Sequence, residues 1–182
     1  AANSAGATLQ IGNGSTGLLG GGTYSGNISN NGSLVFFNNN SNQTLAGNIS
    51  GAGNLTQAGN RTLTLTGSNN SYTGRTTING GATLQVGNGS DAGSLSNGNV
   101  SNNGSLVFIS SANQSYAGII SGGGTLGKQN SGRLTLTGNS NYTGDTFINN
   151  GTLQVGNGDA NGSLGKGNVS LANNAGLAFN HG

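Results

Sequence analysis

Apolar residues recur at every second position along this chain, in runs too short for helices. In RLTLT at 133–137, Leu134 and Leu136 share one side and Thr135 and Thr137 the other. TLQV at 152–155 alternates the same way through Leu153 and Val155, and SLVF at 105–108 through Leu106 and Phe108. TFI at 146–148 sets Thr146 and Ile148 opposite Phe147. Period two is the signature of a strand with one buried face. Gly, Asn and Ser clusters bound each run and supply positive φ and side-chain-to-backbone turns. No eleven-residue window shows an amphipathic helical stripe, and Gly every few residues weakens a helix, so the pattern predicts almost no helix.

The strand-like runs repeat. TLQIGNG at 8–14 returns as TLQVGNG at 83–89 and again at 152–158, and NNGSLVF at 30–36 returns at 102–108. RTLTLTGSNNSYTG at 61–74 reappears as RLTLTGNSNYTG at 133–144. Gln43, Gly47, Ile49, Leu55, Leu63 and Gly67 each have an identical residue 71 positions later. The unit is therefore close to 71 residues, with copies at approximately 7–81 and 82–151 and a partial copy at 152–182.

Near-identical phrases at a constant interval argue against a sandwich and for a solenoid, in which each coil presents the same inward face to its neighbours. The expected architecture is all-β, a parallel β-helix forming a single β-solenoid over 1–182. Dividing the unit into three coils of roughly 23–24 residues gives about 7–8 coils. Leu, Val, Ile and Phe are expected to stack inside, with Gly and Asn at corners that need left-handed backbone and Asn above Asn in amide ladders. The lack of Pro fits a backbone whose N–H groups are all needed by the next coil.

From Gly124 to Gly156 the chain resembles the autotransporter-associated β-strand repeat of bacterial autotransporter passenger domains. The resemblance rests on GTL-x-K at 124–128, G-x-LTLTG at 132–138, NYTG at 141–144 and NGTLQVG at 150–156. The earlier copy matches through GNLTQ at 53–57, RTLTLTG at 61–67, SYTG at 71–74 and GGATLQVG at 80–87, departing at Gln57 where the second copy has Lys128. This kinship implies a right-handed β-helix on the bacterial cell surface or outside the cell, in adhesion, biofilm or stalk roles. The family exports such domains with a leader and a C-terminal membrane barrel, which the displayed chain lacks. Since it opens on AANSAG, it is expected to be a processed or excised segment.

Composition narrows the function. Charged residues are 4% of the chain, and Arg61, Arg75, Lys128, Arg133 and Lys166 are scattered, so the pI near 9.3 marks no nucleic-acid surface. Without Cys there is no disulfide or thiol chemistry, and no apolar run approaches the roughly 18 residues of a membrane helix.

Candidate chemistry is sparse. There is no Glu, and the three acids are Asp91, Asp145 and Asp159. A polysaccharide-cleaving β-helix needs two carboxyl groups roughly 5–9 Å apart; Asp91 and Asp159 are expected in equivalent loops a whole unit apart, and Asp145 aligns with Arg75. His181, the single imidazole, is one residue from the end of the sequence. Glycines at 12–14, 87–89 and 156–158 precede no helix and so form no dinucleotide fingerprint, and SGGGTLG at 121–127 lacks the Asp of a calcium β-roll. Asn-x-Ser/Thr triplets at Asn48, Asn54, Asn99 and Asn141 follow from composition. Hence no catalytic, cofactor-binding or metal site is assigned, and no cofactor.

The reading is a non-enzymatic extracellular structural protein, a module of a surface adhesin or of an extracellular filament that self-associates head to tail. The alternatives are a glycan- or ice-binding solenoid, using Thr pairs at 63–66 and 134–137 and the rings of Tyr24, Tyr72, Tyr116 and Tyr142, and, more remotely, a β-helix enzyme. Surface glycans are candidate partners; nucleic acid and a membrane-spanning segment are not expected.

Overall fold

A computed structural model describes residues 1–38 and 40–182. Every strand pair in it is parallel, and the chain winds through eight turns of a three-walled β-solenoid. Face III is the most regular wall, with eight strands in order: Thr23–Tyr24, Gln43–Leu45, Thr62–Leu65, Thr83–Gly89, Ser105–Ser110, Thr125–Gln129, Thr146–Ile148 and Val169–Leu171. Face II holds six strands from Thr8–Ile11 to Ile120–Ser121. Residues 141–143 continue it, with Asn141 N–H donating to Ile120 O and Thr143 N–H to Gly122 O.

Face I is broken into a three-stranded and a four-stranded sheet. The lower sheet ends at Ile49–Ser50, and the upper begins at Gln114–Tyr116. Residues 71–73 sit on the lower sheet, since Ser71 N–H donates to Ile49 O and Thr73 N–H to Gly51 O. Residues 93–97 bridge to the upper one, where Gln114 Nε2 donates to Ala92 O and Gly93 O. The wall is thus continuous although its ladder is not. Helix is confined, among the described residues, to one turn at Leu19–Gly22, in which Gly20 and Gly21 have positive φ.

Side chains stack in columns because parallel strands in register place equal positions above one another. On face III the inward rows are Leu63, Leu84, Leu106 and Leu126, and beside them Leu65, Val86, Phe108, Lys128 and Ile148. A coil here takes 20 to 22 residues, shorter than the 23–24 expected. The apolar interior is one cluster running from Ile11 to Leu153.

The sequence repeat and the coil are therefore different periods. Leu63 lies on face III, but its equivalent 71 residues later, Leu134, lies on face I. TLQI at 8–11 is on face II, TLQV at 83–86 on face III and TLQV at 152–155 on face I. One unit makes ten visits to a wall, three coils and one further face, instead of three whole coils. Successive copies are turned by one wall about the axis.

Two expectations about side chains change. Phe147 is 40% exposed while Thr146 and Ile148 point inward, so apolar character does not decide the phase of that strand. The inward Thr is made tolerable by the Tyr142 hydroxyl, 2.6 Å from Thr146 Oγ1, and the first copy repeats this with Tyr72 and Thr76 at 2.7 Å. Asn rarely supplies left-handed backbone: only Asn130 and Asn174 have positive φ among the described non-Gly residues.

Candidate functional site

The three carboxylates are placed on three different edges of the rod. Asp91 lies in the turn between faces III and I, where Asn88 Nδ2 donates to its Oδ2 at 2.9 Å. Asp145 precedes a face III strand, and its Oδ1 accepts the N–H of Asn168 in the next coil at 2.9 Å. Asp159 follows a face I strand, and its Oδ1 accepts the N–H of Asn161. No two of them face each other across a cleft, so the acid–base pairing of a glycosidase is not assembled. His181 is exposed, with Nε2 3.0 Å from Gly162 O and its ring 6.3 Å from that of Phe179. No cluster of three His, Cys, Asp or Glu stands together among the described residues.

The tyrosines are interior. Tyr72, Tyr116 and Tyr142 are at most 1% exposed, and Tyr116 Oη donates to Gly98 O at 2.6 Å. Burial raises the pKa of all three phenols above 10.0. Their rings are therefore packing groups, not sugar platforms; Tyr24 alone is half-buried. The Thr pairs at 63–66 and 134–137 fall on faces III and I respectively. On face III the outward row Thr23, Thr44, Thr64 passes to Gln85 and Val107, which ends it. The GNG turns are corners with positive φ at Gly12, Gly87 and Gly156.

One charged group lies inside. Lys128 is 1% exposed, in the inward row between Phe108 and Ile148. Its Nζ donates to Gln129 O, Asn130 O and Asn150 O at 2.9, 2.6 and 3.3 Å, and burial holds its pKa below 10.5. Gln57, the matching residue of the first copy, donates from Nε2 to Gly59 O and Arg61 O. Both side chains therefore do one task, supplying donors to the carbonyls of the corner that follows. The Lys/Gln difference read in the sequence is a change of donor, not of role.

What sequence reading missed is the work of asparagine between coils. Oδ1 of Asn48 accepts the N–H of Asn69, Asn54 that of Arg75, Asn99 that of Ile119 and Asn113 that of Arg133, all at 2.9–3.0 Å. The partner is always about one coil further on. Asp145 uses its carboxylate in the same way. A carboxamide ladder of the expected kind occurs inside, where Asn3 Nδ2 donates to Asn30 Oδ1 at 2.9 Å.

The family model described as passenger-associated-transport-repeat matches residues 55–86 and 126–155. The adhesin BmaC autotransporter of Brucella suis biovar 1 (strain 1330) is 48% identical over 89 residues, a stretch covering 49% of this chain and 2% of that protein. No solved structure matches the chain. The two family matches begin on faces II and III, so they are the same unit turned by one wall. The passenger-associated-transport-repeat model thus matches the chain twice, within a β-solenoid.

Proposed function

We propose that the chain is a non-enzymatic structural module of a bacterial surface adhesin passenger or extracellular filament. It works outside the cell or on its surface, in adhesion and biofilm. The observation that carries this reading is the ladder itself: parallel hydrogen bonding through eight turns, with its polar side chains engaged in holding one coil to the next. Such a rod resists unfolding from either end and presents long uncharged walls. The similarity to a named adhesin autotransporter supports the cell-surface setting.

The module stacks end to end with further copies. Val169 and Leu171, in the eighth strand of face III, and Phe179, in the face I strand that follows, continue the inward rows and are 36%, 49% and 62% exposed. A second copy laid coil on coil would cover them and pair the open strand edge. Native mass and electron microscopy test this: assemblies of the 17.7 kDa chain that Leu171→Asp disperses are expected. Short single rods at all concentrations would overturn the stacking and leave the scaffold role to further coils of a longer passenger.

A further inference from the structure

Asn-Gly pairs recur along the chain, and the fold holds them in different ways. Asn31 and Asn103 give their Oδ1 to the N–H of Ala52 and Gly123 in the next coil, at 3.1 and 3.2 Å. Asn13 and Asn88 give theirs to N–H groups two and three residues further on. Each of these carboxamides is held by donors other than its own glycine. Asn150 is arranged otherwise: the N–H of its own neighbour Gly151 donates to Asn150 Oδ1 at 2.7 Å. The nitrogen and the carboxamide thus lie together at an exposed corner that water reaches. Gly151 has a φ of 70°, and a Cβ there would lie 2.5 Å from Asn130 O and from Gly132 O, so only glycine fits.

The same peptide touches the buried ammonium. Lys128 Nζ donates to Asn150 O at 3.3 Å, along with the carbonyls of Gln129 and Asn130. Asn150 C=O belongs to the peptide whose nitrogen meets the carboxamide. A cation on that oxygen favours loss of the proton from the attached N–H, as a nearby opposite charge favours any anionic form. A nucleophile, its electrophile and a charge that activates the nucleophile therefore meet at one corner.

We propose that Asn150–Gly151 is a self-modification site, closing to a succinimide and reopening as an isoaspartate whose carboxylate pairs with Lys128. In the first step Gly151 N bonds to Asn150 Cγ, and the carboxamide nitrogen leaves as ammonia, taking the proton of the Gly151 N–H. In the second, the hydroxyl of a water adds to the imide carbonyl that was Asn150 C=O. The bond from that carbon to nitrogen breaks, and the water's remaining proton returns to Gly151 N. The chain then runs through Cγ, and the former backbone carbonyl is a free carboxylate where Lys128 Nζ already stands. The ammonium polarises this carbonyl rather than the other, and exchanges a neutral acceptor for an ionic one. The longer linkage has room, since the first copy turns the same corner with one residue more, Ala82. That copy has Gly80 in place of Asn150 and Gln57 in place of Lys128, so at these two positions it holds neither electrophile nor cation. The inference is independent of the scaffold role and of end-to-end stacking.

Ageing the purified chain at mildly alkaline pH tests this. Each Asn-Gly peptide is followed by mass spectrometry, with electron-transfer fragmentation to separate isoaspartate from aspartate. Residue 150 is expected to convert ahead of Asn31 and Asn103, with isoaspartate as its main product. In guanidinium chloride, where no fold holds the atoms together, that lead should vanish. Lys128→Gln, which borrows the residue of the first copy, should slow the change at residue 150 by about threefold or more and leave Asn31 and Asn103 unaffected. If that variant fails to fold, the folded and denatured wild-type chains still decide the matter. Conversion at residue 150 no faster than at Asn31 in the folded rod would overturn the proposal. So would aspartate as the main product, or an undiminished rate in a folded Lys128→Gln rod.

Discussion

At Asn48 the amide oxygen accepts the N–H of Asn69, while the N–H of Asn48 itself donates to Asn27 Oδ1. With its C=O accepting the N–H of Ile28, one residue thus takes part in three inter-coil bonds, and a short carboxamide is the side chain that reaches the next coil from a corner. Asn48→Ala should lower stability by about 1 kcal/mol, the net value of one hydrogen bond, measured by urea unfolding. A change of the same size at Asn141, for which no such bond is seen, should be closer to zero. Lys128 makes a sharper case, since its position is inward and its partners are three carbonyls. Lys128→Gln borrows the residue of the other copy and should be nearly neutral, whereas Lys128→Met strands those carbonyls at about 1–3 kcal/mol. The sign of the pH effect follows from burial, which lowers the folded-state pKa below 10.5. Between the folded value and 10.5 the unfolded chain binds more protons, so this residue's contribution to stability rises with pH there and is lost on acidifying through the folded pKa. Lys128→Gln should flatten that rise.

Corners explain why the elements end where they do. Gly53 stacks on Gly32, Gly74 on Gly53, Gly98 on Gly74 and Gly118 on Gly98, and a Cβ at any of them would overlap the carbonyl below. These glycines are needed for close approach of backbones, not for left-handed φ, which is found instead at Gly12, Gly87 and Gly156. Gly53→Ala should therefore cost at least about 2 kcal/mol or prevent folding, by thermal melting, because backbone cannot yield as a flexible side chain can. The Tyr–Thr pairs next to such corners set an alkaline limit. Since burial raises the phenol pKa values, stability is full below pH 10 and falls as pH climbs through the folded values. Tyr72→Phe with Tyr142→Phe should move alkaline unfolding upward in pH, at the expense of two hydroxyl contacts at neutral pH. Alternation made the strands, the absence of helix and the Leu rows legible before any coordinates, because a pleated wall leaves a period-two trace. Phe147 and Thr146 were not legible, since phase there is decided by a tyrosine hydroxyl four residues away. Nor was the path of residues 71–73 and 93–97, which hold their wall without an alternating run.

On the scale of the molecule, a repeat need not contain a whole number of coils because the three walls are nearly interchangeable. Each is a short parallel ladder with two inward side chains and a glycine corner, so one phrase can serve on any wall. Family resemblance pins the unit and the fold but is silent on this phase, which only the register reveals. The consequence is that any loop carried once per unit appears on a new edge in each copy: the turns after 8–11, 83–86 and 152–155 lie on the three edges in succession. It also follows that the indivisible unit for the fold is the coil, not the 71-residue phrase. Excising residues 105–124 joins Gly104 to Thr125, and Gly104 and Gly124 already stack corner on corner. Leu84 would then meet Leu126 where it now meets Leu106, and all later segments would keep their walls. The shortened chain should fold with the same circular dichroism per residue and with a rod shorter by about 4.8 Å, measured by small-angle scattering. Excising only 105–111 removes a single wall and moves every following strand round by one face, the same turn that separates the sequence copies. Interchangeable walls predict that this chain also melts cooperatively, and loss of the cooperative melt would mean that each phrase is tied to its own wall.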